Sequence, residues 1–206
     1  MISKSVLSPA MAKKGASPLD AIDTAQRLYE SEAGSHLLVF YQDLTTFREM
    51  YSSYIKAALN NNEIVLVLPF YETADSVRQI LSEDSACIDV RKKEKEQSLL
   101  IIDALKGYFG LPNGLMSFAK QLAGYAKTSG KNCVSILGDM GPFFYNRKKD
   151  NLIGWELELP YKYEQNVKGF CVYHKKDFDR RLSENDKELL VGHHEQVLDL
   201  ISVSVS

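Results

Sequence analysis

The fold of this chain is most constrained by a series of short apolar runs that alternate with helix-length segments. Each run is apolar on both faces, which is typical of parallel strands that are covered by helices on both sides. Strands and helices that alternate through short connections predict an α/β fold with a mainly parallel sheet flanked by helices. The runs that we predict as strands are residues 36–41, 64–70, 98–104, 133–137 and 167–174.

The segments between these runs carry the spacing of amphipathic helices. The clearest is the stretch 47–59, where apolar residues recur at intervals of three and four. Ser17, Pro18 and Asp20 predict an earlier helix start, because these residue types favour the cap and the first turn of a helix. Another helix is predicted from Pro112 onward, with Gly130 at its end.

Four further segments have weaker patterns. Residues 87–91 predict a short extra strand, and the charged residues 92–97 predict a solvated turn. We favour a helix from Asp150 over a strand through Trp155. Ser183 and Asp186 predict the start of a C-terminal helix. The inner face of that helix would consist of Leu190, His194, Val197 and Ile201.

Length and composition bound the architecture and the compartment. The chain has 206 residues, of which 45% are apolar, and we expect one domain over 17–206 after a flexible leader, 1–16. The net charge of -2 argues against a nucleic-acid surface. No apolar stretch has the length of a membrane span or the pattern of a signal peptide. Cys87, Cys133 and Cys171 are far apart, form no CxxC pair and lie mostly on predicted strands, which favours buried thiols in a reducing cytoplasm over a redox sensor.

Motifs for catalysis and metal binding are incomplete. Residues 124–131 resemble a phosphate loop, but the glycine spacing is too long, Asn132 replaces Ser or Thr, and the segment precedes a strand. It is therefore predicted to be a helix end. His193 and His194 point about 100° apart on a helix, and no cysteine or second histidine lies at a ligand spacing. We predict no catalytic residue, no metal ligand and no cofactor, and we expect His194 in the core.

Acidic residues lie at or near the ends of the predicted strands. The carboxyl ends of parallel strands share one edge of the sheet, and ligands commonly bind there. Carboxylates at this edge could bind a cation, perform acid–base chemistry or cap the helices that follow. Together with nearby aromatic residues they make a plausible ligand-binding site. Its predicted members are Tyr41, Asp43, Phe70, Tyr71, Asp103, Asp139 and Met140.

Asp139 has the central position in this predicted site. The strand 133–137 is followed directly by Gly138 and Asp139, so the carboxyl group should lie at the sheet edge. We expect Asp139 to orient a small, mostly apolar effector, or to hold the segment 141–145 in one of two arrangements. Ile136, on the same strand, is expected in the core.

The order of the motifs resembles one known family. Residues 36–41 and 63–68, on either side of the long amphipathic helix, are similar to the start of the MEDS family, the methanogen/methylotroph, DcmR-type sensory domains. Residues 133–140 resemble its central strand, with Asp139 in place of the usual Glu. Gly-Phe-Cys-Val-Tyr at 169–173 resembles its late Cys-x-Tyr strand, and residues 194–198 resemble its terminal His-x-x-Val/Ile helix. These matching motifs span most of the chain.

The resemblance implies a RecA- or KaiC-like three-layer core that lacks a working phosphate loop. It implies a non-enzymatic sensory module of bacterial or archaeal regulation, linked in some members to hydrocarbon or one-carbon signals. Such a module would bind a small-molecule effector and act on a regulatory protein, such as a kinase or transcription factor, without contacting nucleic acid or membrane. A homo-oligomer is compatible with this role. An NTPase-related enzyme that uses the acidic strand ends and a KaiC-like assembly subunit remain as alternatives.

Overall fold

The computed structural model describes residues 17–83, 86–145, 149–163 and 166–202. The predicted leader, 1–16, lies outside these residues. In the part described, strands and helices alternate, and the predicted α/β fold with a parallel sheet flanked by helices is confirmed. The strands are β1 (Ser17–Leu19), β2 (His36–Tyr41), β3 (Ile64–Leu68), β4 (Leu99–Ile101), β5 (Val134–Asp139), β6 (Val167–His174) and β7 (Gln196–Leu200).

The strands form one sheet of seven in the order β1-β7-β2-β6-β5-β3-β4, and every pairing is parallel. The centre of the sheet is β2, β6 and β5. The register sets Leu38 beside Cys171 and Leu137 beside Phe170. Because all strands run in one direction, their carboxyl ends meet at one edge of the sheet, where α/β proteins commonly place a site.

Helices cover both faces of the sheet, and ten of them lie in the described residues. Apolar contacts assign α1 to α4 to one face, called here the first face, and α5 to α10 to the second face. The helices are α1 (Ala21–Glu30), α2 (Leu44–Asn60), α3 (Ala74–Glu83), α4 (Val90–Lys95), α5 (Ala104–Phe109), α6 (Gly114–Thr128), α7 (Gly141–Tyr145), α8 (Lys149–Glu158), α9 (Lys175–Arg181) and α10 (Glu184–His193).

Side chains of the central strands alternate between the two cores. On β2, Leu37, Val39 and Tyr41 pack on the first face, whereas Leu38 and Phe40 pack on the second. Helices cover both faces, so neither side of the strand meets water, and the sequence shows no polar alternation. The result is a three-layer α/β sandwich of helices, sheet and helices.

The predicted helix start at Ser17 is wrong, because Ser17–Leu19 is the edge strand β1. It pairs with β7, with Pro18 beside Asp199. Proline is tolerated there because an edge strand needs hydrogen-bond donors on only one side. Helix α1 begins at Ala21, and the Asp20 carboxylate caps it by accepting a hydrogen bond from the Asp23 N–H at 2.8 Å.

The predicted C-terminal helix is correct only as far as His193. Ser183 and Asp186 form a reciprocal capping box at the start of α10. At His194 the backbone becomes extended, and 196–200 enters the sheet as β7 between β1 and β2. The partners of β7 are distant in the chain, so local helical spacing did not reveal the strand.

The strand predicted at 87–91 is also absent from the structure. The Asp89 carboxylate accepts a hydrogen bond from the Lys92 N–H at 3.0 Å and caps the short helix α4. The charged residues that were predicted as a turn therefore belong mainly to that helix. The helix cap formed by Asp89 favours a helix here, although the short apolar pattern had predicted a strand.

Candidate functional site

Asp139 ends β5 at the carboxyl edge of the sheet and is 3% exposed. Its Oδ2 accepts a hydrogen bond from the Tyr41 hydroxyl at 3.0 Å, at the end of β2. Its Oδ1 accepts a hydrogen bond from the Gly141 N–H at 2.8 Å, at the start of α7. The carboxyl group at the end of β5 thus contacts the end of β2, which lies on the other side of β6. It also contacts the start of α7, the segment that follows β5.

Burial controls the ionisation of this group. Desolvation raises the pKa of Asp139 to about 7, while the hydrogen bonds from Gly141 and Tyr41 favour the charged form and act against the increase. Burial, together with the neighbouring Asp139, raises the pKa of the Tyr41 hydroxyl far above its ordinary value, so Tyr41 stays a donor. The Asp139 carboxyl can therefore change charge near neutral pH.

Aromatic residues pack beside Asp139. The ring centroids of Phe70 and Tyr71 lie 5.1 Å apart, and those of Phe70 and Tyr145 lie 5.6 Å apart. The Tyr71 hydroxyl donates a hydrogen bond to Asp177 on α9. A Cβ atom at Gly141 would collide with the Phe70 ring, so glycine is needed for this close approach.

The cleft between these groups is nearly closed in this structure. Its volume is about 10 Å³, roughly the space that one water molecule needs. Phe70, Tyr71 and Asp139 line it together with apolar residues of α2 and the β3 end. A larger ligand could enter only if the aromatic rings or α7 moved.

The remaining residues of the predicted site are dispersed. The Asp43 carboxylate caps α2 and accepts a hydrogen bond from the Thr46 N–H at 2.9 Å. Asp103 accepts a hydrogen bond from the Ala74 N–H at 3.2 Å, at the start of α3. Met140 is buried on the second face, where its sulfur accepts a hydrogen bond from the Tyr108 hydroxyl at 3.1 Å. The structure thus brings Tyr41, Phe70, Tyr71 and Asp139 together, and places Asp43, Asp103 and Met140 in other contacts.

Ile136 is half-buried instead of fully buried. It faces a cleft of about 380 Å³ on the second face, between α6 and the segment after α8. The same side chain borders an inner cavity of about 30 Å³ that reaches Gly169 and Cys171. The expectation that Ile136 is a core residue therefore needs correction.

A buried polar cluster on the second face was missed by the sequence analysis. It consists of His36, Glu156, Cys171 and His194, one ligand-type atom of each lying within 4.8 Å of the others. His36 and Cys171 come from the paired strands β2 and β6, Glu156 from α8, and His194 from the residue after α10. His194 is buried, as predicted.

The cluster escaped detection because its members are far apart in the chain. Sequence spacing is informative for metal or catalytic sites only when ligands share a helix or loop. One local signal was available: Cys171 and Tyr173 are two residues apart on β6 and therefore lie on the same face of the sheet. The Tyr173 hydroxyl donates a hydrogen bond to Glu156. Desolvation raises the pKa of Glu156 to about 7 and lowers that of His36 to about 4.

The segment that resembles a phosphate loop is a helix end, as predicted. It closes α6, and Gly130 adopts a positive φ of 71°. The Lys131 ammonium donates hydrogen bonds to Asn62 Oδ1 at 2.8 Å and to Ser98 Oγ at 3.0 Å. These groups lie at the amino edge of the sheet, the end opposite to Asp139.

Comparison with known proteins gives one family. The model described as "MEDS: MEthanogen/methylotroph, DcmR Sensory domain" matches residues 35–185. That range includes Tyr41, Asp139 and Cys171, but ends before His194. The chain matches no curated protein sequence. None of the helices in the described part of the chain is both long and apolar enough to cross a membrane.

Proposed function

The chain belongs to the MEDS family, whose members are methanogen/methylotroph, DcmR sensory domains, and from this premise we propose how it senses. In the proposal, it is a non-enzymatic regulatory domain of the cytoplasm that binds a small, mostly apolar effector beside Asp139. The signal then passes through protein contacts to a regulatory partner, such as a kinase or transcription factor. The RecA- or KaiC-like core without a phosphate loop is part of the same proposal.

The observation that carries the proposal is the position of Asp139. Its carboxyl group is buried, holds both Tyr41 and the start of α7, and lies beside aromatic rings. A pocket lined by aromatic side chains, with a few polar groups directed into it, suits a small apolar molecule that carries one polar group. Because the cleft is nearly closed, such a molecule would bind best to an arrangement in which the rings have separated.

The contacts around α7 offer a route from this cleft to the surface. The Phe144 carbonyl on α7 accepts a hydrogen bond from the Arg181 guanidinium at 3.4 Å, and Arg181 Nε donates to Asp177 Oδ1 at 3.0 Å. Asp177 in turn accepts a hydrogen bond from the Tyr71 hydroxyl. An effector that displaces Tyr71 would therefore alter α7 and α9 together. An effector can shift the equilibrium between the closed arrangement of α7 and an open one only if it binds the two with unequal affinity.

The non-enzymatic assignment is supported by the state of the incomplete phosphate loop. Lys131 is held by Asn62 and Ser98 at the amino edge, and Asp43 and Asp103 hold helix starts. These contacts disfavour the alternative of an NTPase-related enzyme that uses the acidic strand ends. Incubation with ATP and magnesium should give no turnover above background. Turnover that Lys131→Ala abolishes would favour the enzyme.

The sensory proposal is tested by ligand-induced thermal shifts. Purified protein is screened against short hydrocarbon derivatives and one-carbon compounds, and an effector at 100 times its dissociation constant should add about 2.7 kcal/mol of stability. Asp139→Asn should stay folded but show a smaller shift. Asp89→Asn is the matched control, because asparagine caps α4 as well as aspartate does. A shift equal in all three proteins would contradict the proposed site.

A further inference from the structure

We propose that His36, Glu156, Cys171 and His194 bind one divalent metal ion of the zinc type, in a closed site on the second face of the sheet. All four side chains are fully or almost fully buried. Imidazole nitrogen, thiolate sulfur and carboxylate oxygen are the protein ligands that zinc accepts, and four of them complete a tetrahedral structural site. The proposal is independent of the effector site, which is built around Asp139 at the carboxyl edge of the sheet and shares none of these four residues.

The distances between the donor atoms fit one ion. With bond lengths of about 2.0–2.3 Å, the edges of a tetrahedral zinc site measure roughly 3.3–3.7 Å. His36 Nε2 lies 3.4 Å from Cys171 Sγ and 3.9 Å from Glu156 Oε2. Glu156 Oε2 lies 3.4 Å from Cys171 Sγ and 3.6 Å from His194 Nε2. The two remaining pairs of donor atoms lie within 4.8 Å, so side-chain shifts of about an ångström would complete the tetrahedron.

The second nitrogen of each histidine is already oriented as in metal sites. His36 Nδ1 lies 3.0 Å from the Pro160 carbonyl, and His194 Nδ1 lies 2.7 Å from the Leu190 carbonyl. A carbonyl can only accept, so each Nδ1 carries the proton and each Nε2 presents a lone pair toward the cluster. Metal-binding histidines are typically fixed by such a contact.

Glu156 is fixed in a similar way. Its Oε1 accepts the hydrogen bond from Tyr173, which leaves Oε2 directed at the two histidines and Cys171. A ligating carboxylate is commonly held by such a neighbour. The four donors thus approach one point from two strands, a helix and a helix end.

Charge balance favours a dication. When the metal binds, the Cys171 thiol loses its proton to solvent and a metal–sulfur bond forms, with no change of oxidation state. One thiolate and one carboxylate then supply two negative charges, and the two imidazoles are neutral. A divalent ion makes the buried site neutral, which avoids the large cost of an isolated charge in the interior.

Two neighbouring spaces on the second face lead toward the site. The inner cavity of about 30 Å³ reaches Cys171, and it shares Met116, Ile136 and Tyr163 with the cleft of about 380 Å³. The Tyr163 ring packs against the sheet over Gly169, where there is no side chain. A Cβ atom at Gly169 would lie 2.6 Å from the Tyr163 hydroxyl oxygen. An ion that enters from the cleft between α6 and the segment after α8 would therefore have to pass the Tyr163 ring to reach Cys171.

The first experiment measures zinc content. Chelator-treated protein is incubated with zinc chloride alone, desalted and analysed for metal. Wild type and His193→Gln should retain about one zinc per chain, because the His193 ring bonds the Leu159 carbonyl outside the cluster. His194→Gln should lower the apparent affinity at least tenfold. Wild type without zinc, or equal retention by the two histidine variants, would overturn the proposal.

The second experiment uses cobalt and keeps the proposal testable even if a cluster variant fails to fold. In the double variant Cys87→Ser/Cys133→Ser, Cys171 is the sole remaining thiol of the chain. Cobalt chloride alone should give a sulfur-to-cobalt charge-transfer band that saturates at one equivalent and disappears when zinc is added. Loss of the band after Cys171→Ser supports the assignment. A folded double variant with no band overturns it.

Discussion

At the scale of single residues, the ionisation of Asp139 is set by its burial. Desolvation raises its pKa from 3.8 to about 7, so the native state holds a proton that the unfolded chain has already released. The linkage between proton binding and folding then gives the direction of the effect. Between pH 4 and 7 the native state binds more protons than the unfolded state, and stability falls as the pH rises.

Asp139→Asn should therefore flatten the dependence of stability on pH. Below pH 4 both carboxyl and amide are neutral, and the two proteins should behave alike. Toward pH 7 the wild type should lose on the order of a few kcal/mol that the variant keeps. Urea denaturation at several pH values measures the difference. Parallel curves for the two proteins would show that Asp139 has an ordinary pKa.

A second residue-scale prediction concerns the ion pair of Lys168 and Glu63, which is buried on the first face. The ammonium lies 3.1 Å from Glu63 Oε1, and Ser135 donates a hydrogen bond to the other oxygen. Lys168→Met leaves a buried carboxylate without its cation, which should lower the free energy of unfolding by about 3–5 kcal/mol. Lys162→Met, which removes the ion pairs of a half-exposed ammonium with Glu32 and Glu195, should change the free energy of unfolding little.

At the scale of one element, the two faces of β5 differ in how completely they are covered. Leu137 is 2% exposed and packs on the first face against the large apolar core. Ile136 points to the second face, where α6 and the segment after α8 leave a cleft. Neighbouring apolar residues on one strand therefore contribute unequally to stability.

Leu137→Ala should destabilise the protein by about 2–5 kcal/mol, because it leaves a cavity in a closed core. Ile136→Ala should cost clearly less, since water can enter the cleft and no empty cavity remains. Chemical denaturation of both variants provides the comparison. Equal losses would mean that the cleft beside Ile136 is closed in solution.

At the scale of the whole molecule, β7 is the strand that joins β1 to the centre of the sheet. It lies between β1 and β2, and its Asp199 is buried with the carboxylate 2.6 Å from the Lys175 ammonium. The residues matched to the MEDS family end at 185, before this strand. The sheet of this chain thus includes an inner strand that lies outside the matched region.

Removal of residues 195–206 should prevent stable folding. It exposes the edge of β2, deprives β1 of its partner and leaves Lys175 buried without its carboxylate. A chain that starts at Asp20 lacks the edge strand β1 but keeps β7 beside β2, and it should stay folded, with a lower melting temperature. Circular dichroism and gel filtration of both truncated chains distinguish the cases. A folded, monomeric C-terminal truncation would refute this role of β7.

The strands and helices whose signals are local could be predicted from the amino-acid sequence alone. Continuous apolar runs predicted β2 and β6 with their observed bounds, because both faces of these strands are buried. Apolar residues at intervals of three and four predicted α2, because one face of that helix is buried on the sheet. It also placed Asp139 at the carboxyl edge, since the end of a parallel strand fixes the edge on which its last residue lies.

Contacts between residues that are far apart in the chain could not be predicted in this way and are seen only in the folded protein. β1 and β7 are short, and their stability comes from pairing with each other and with β2, which local spacing does not encode. The cluster around Cys171 joins residues from 36 to 194, and the closed cleft at Asp139 depends on how α7 packs against Tyr71 and Phe70. Such contacts follow from the order of strands and the packing of helices, and no short stretch of sequence contains that information.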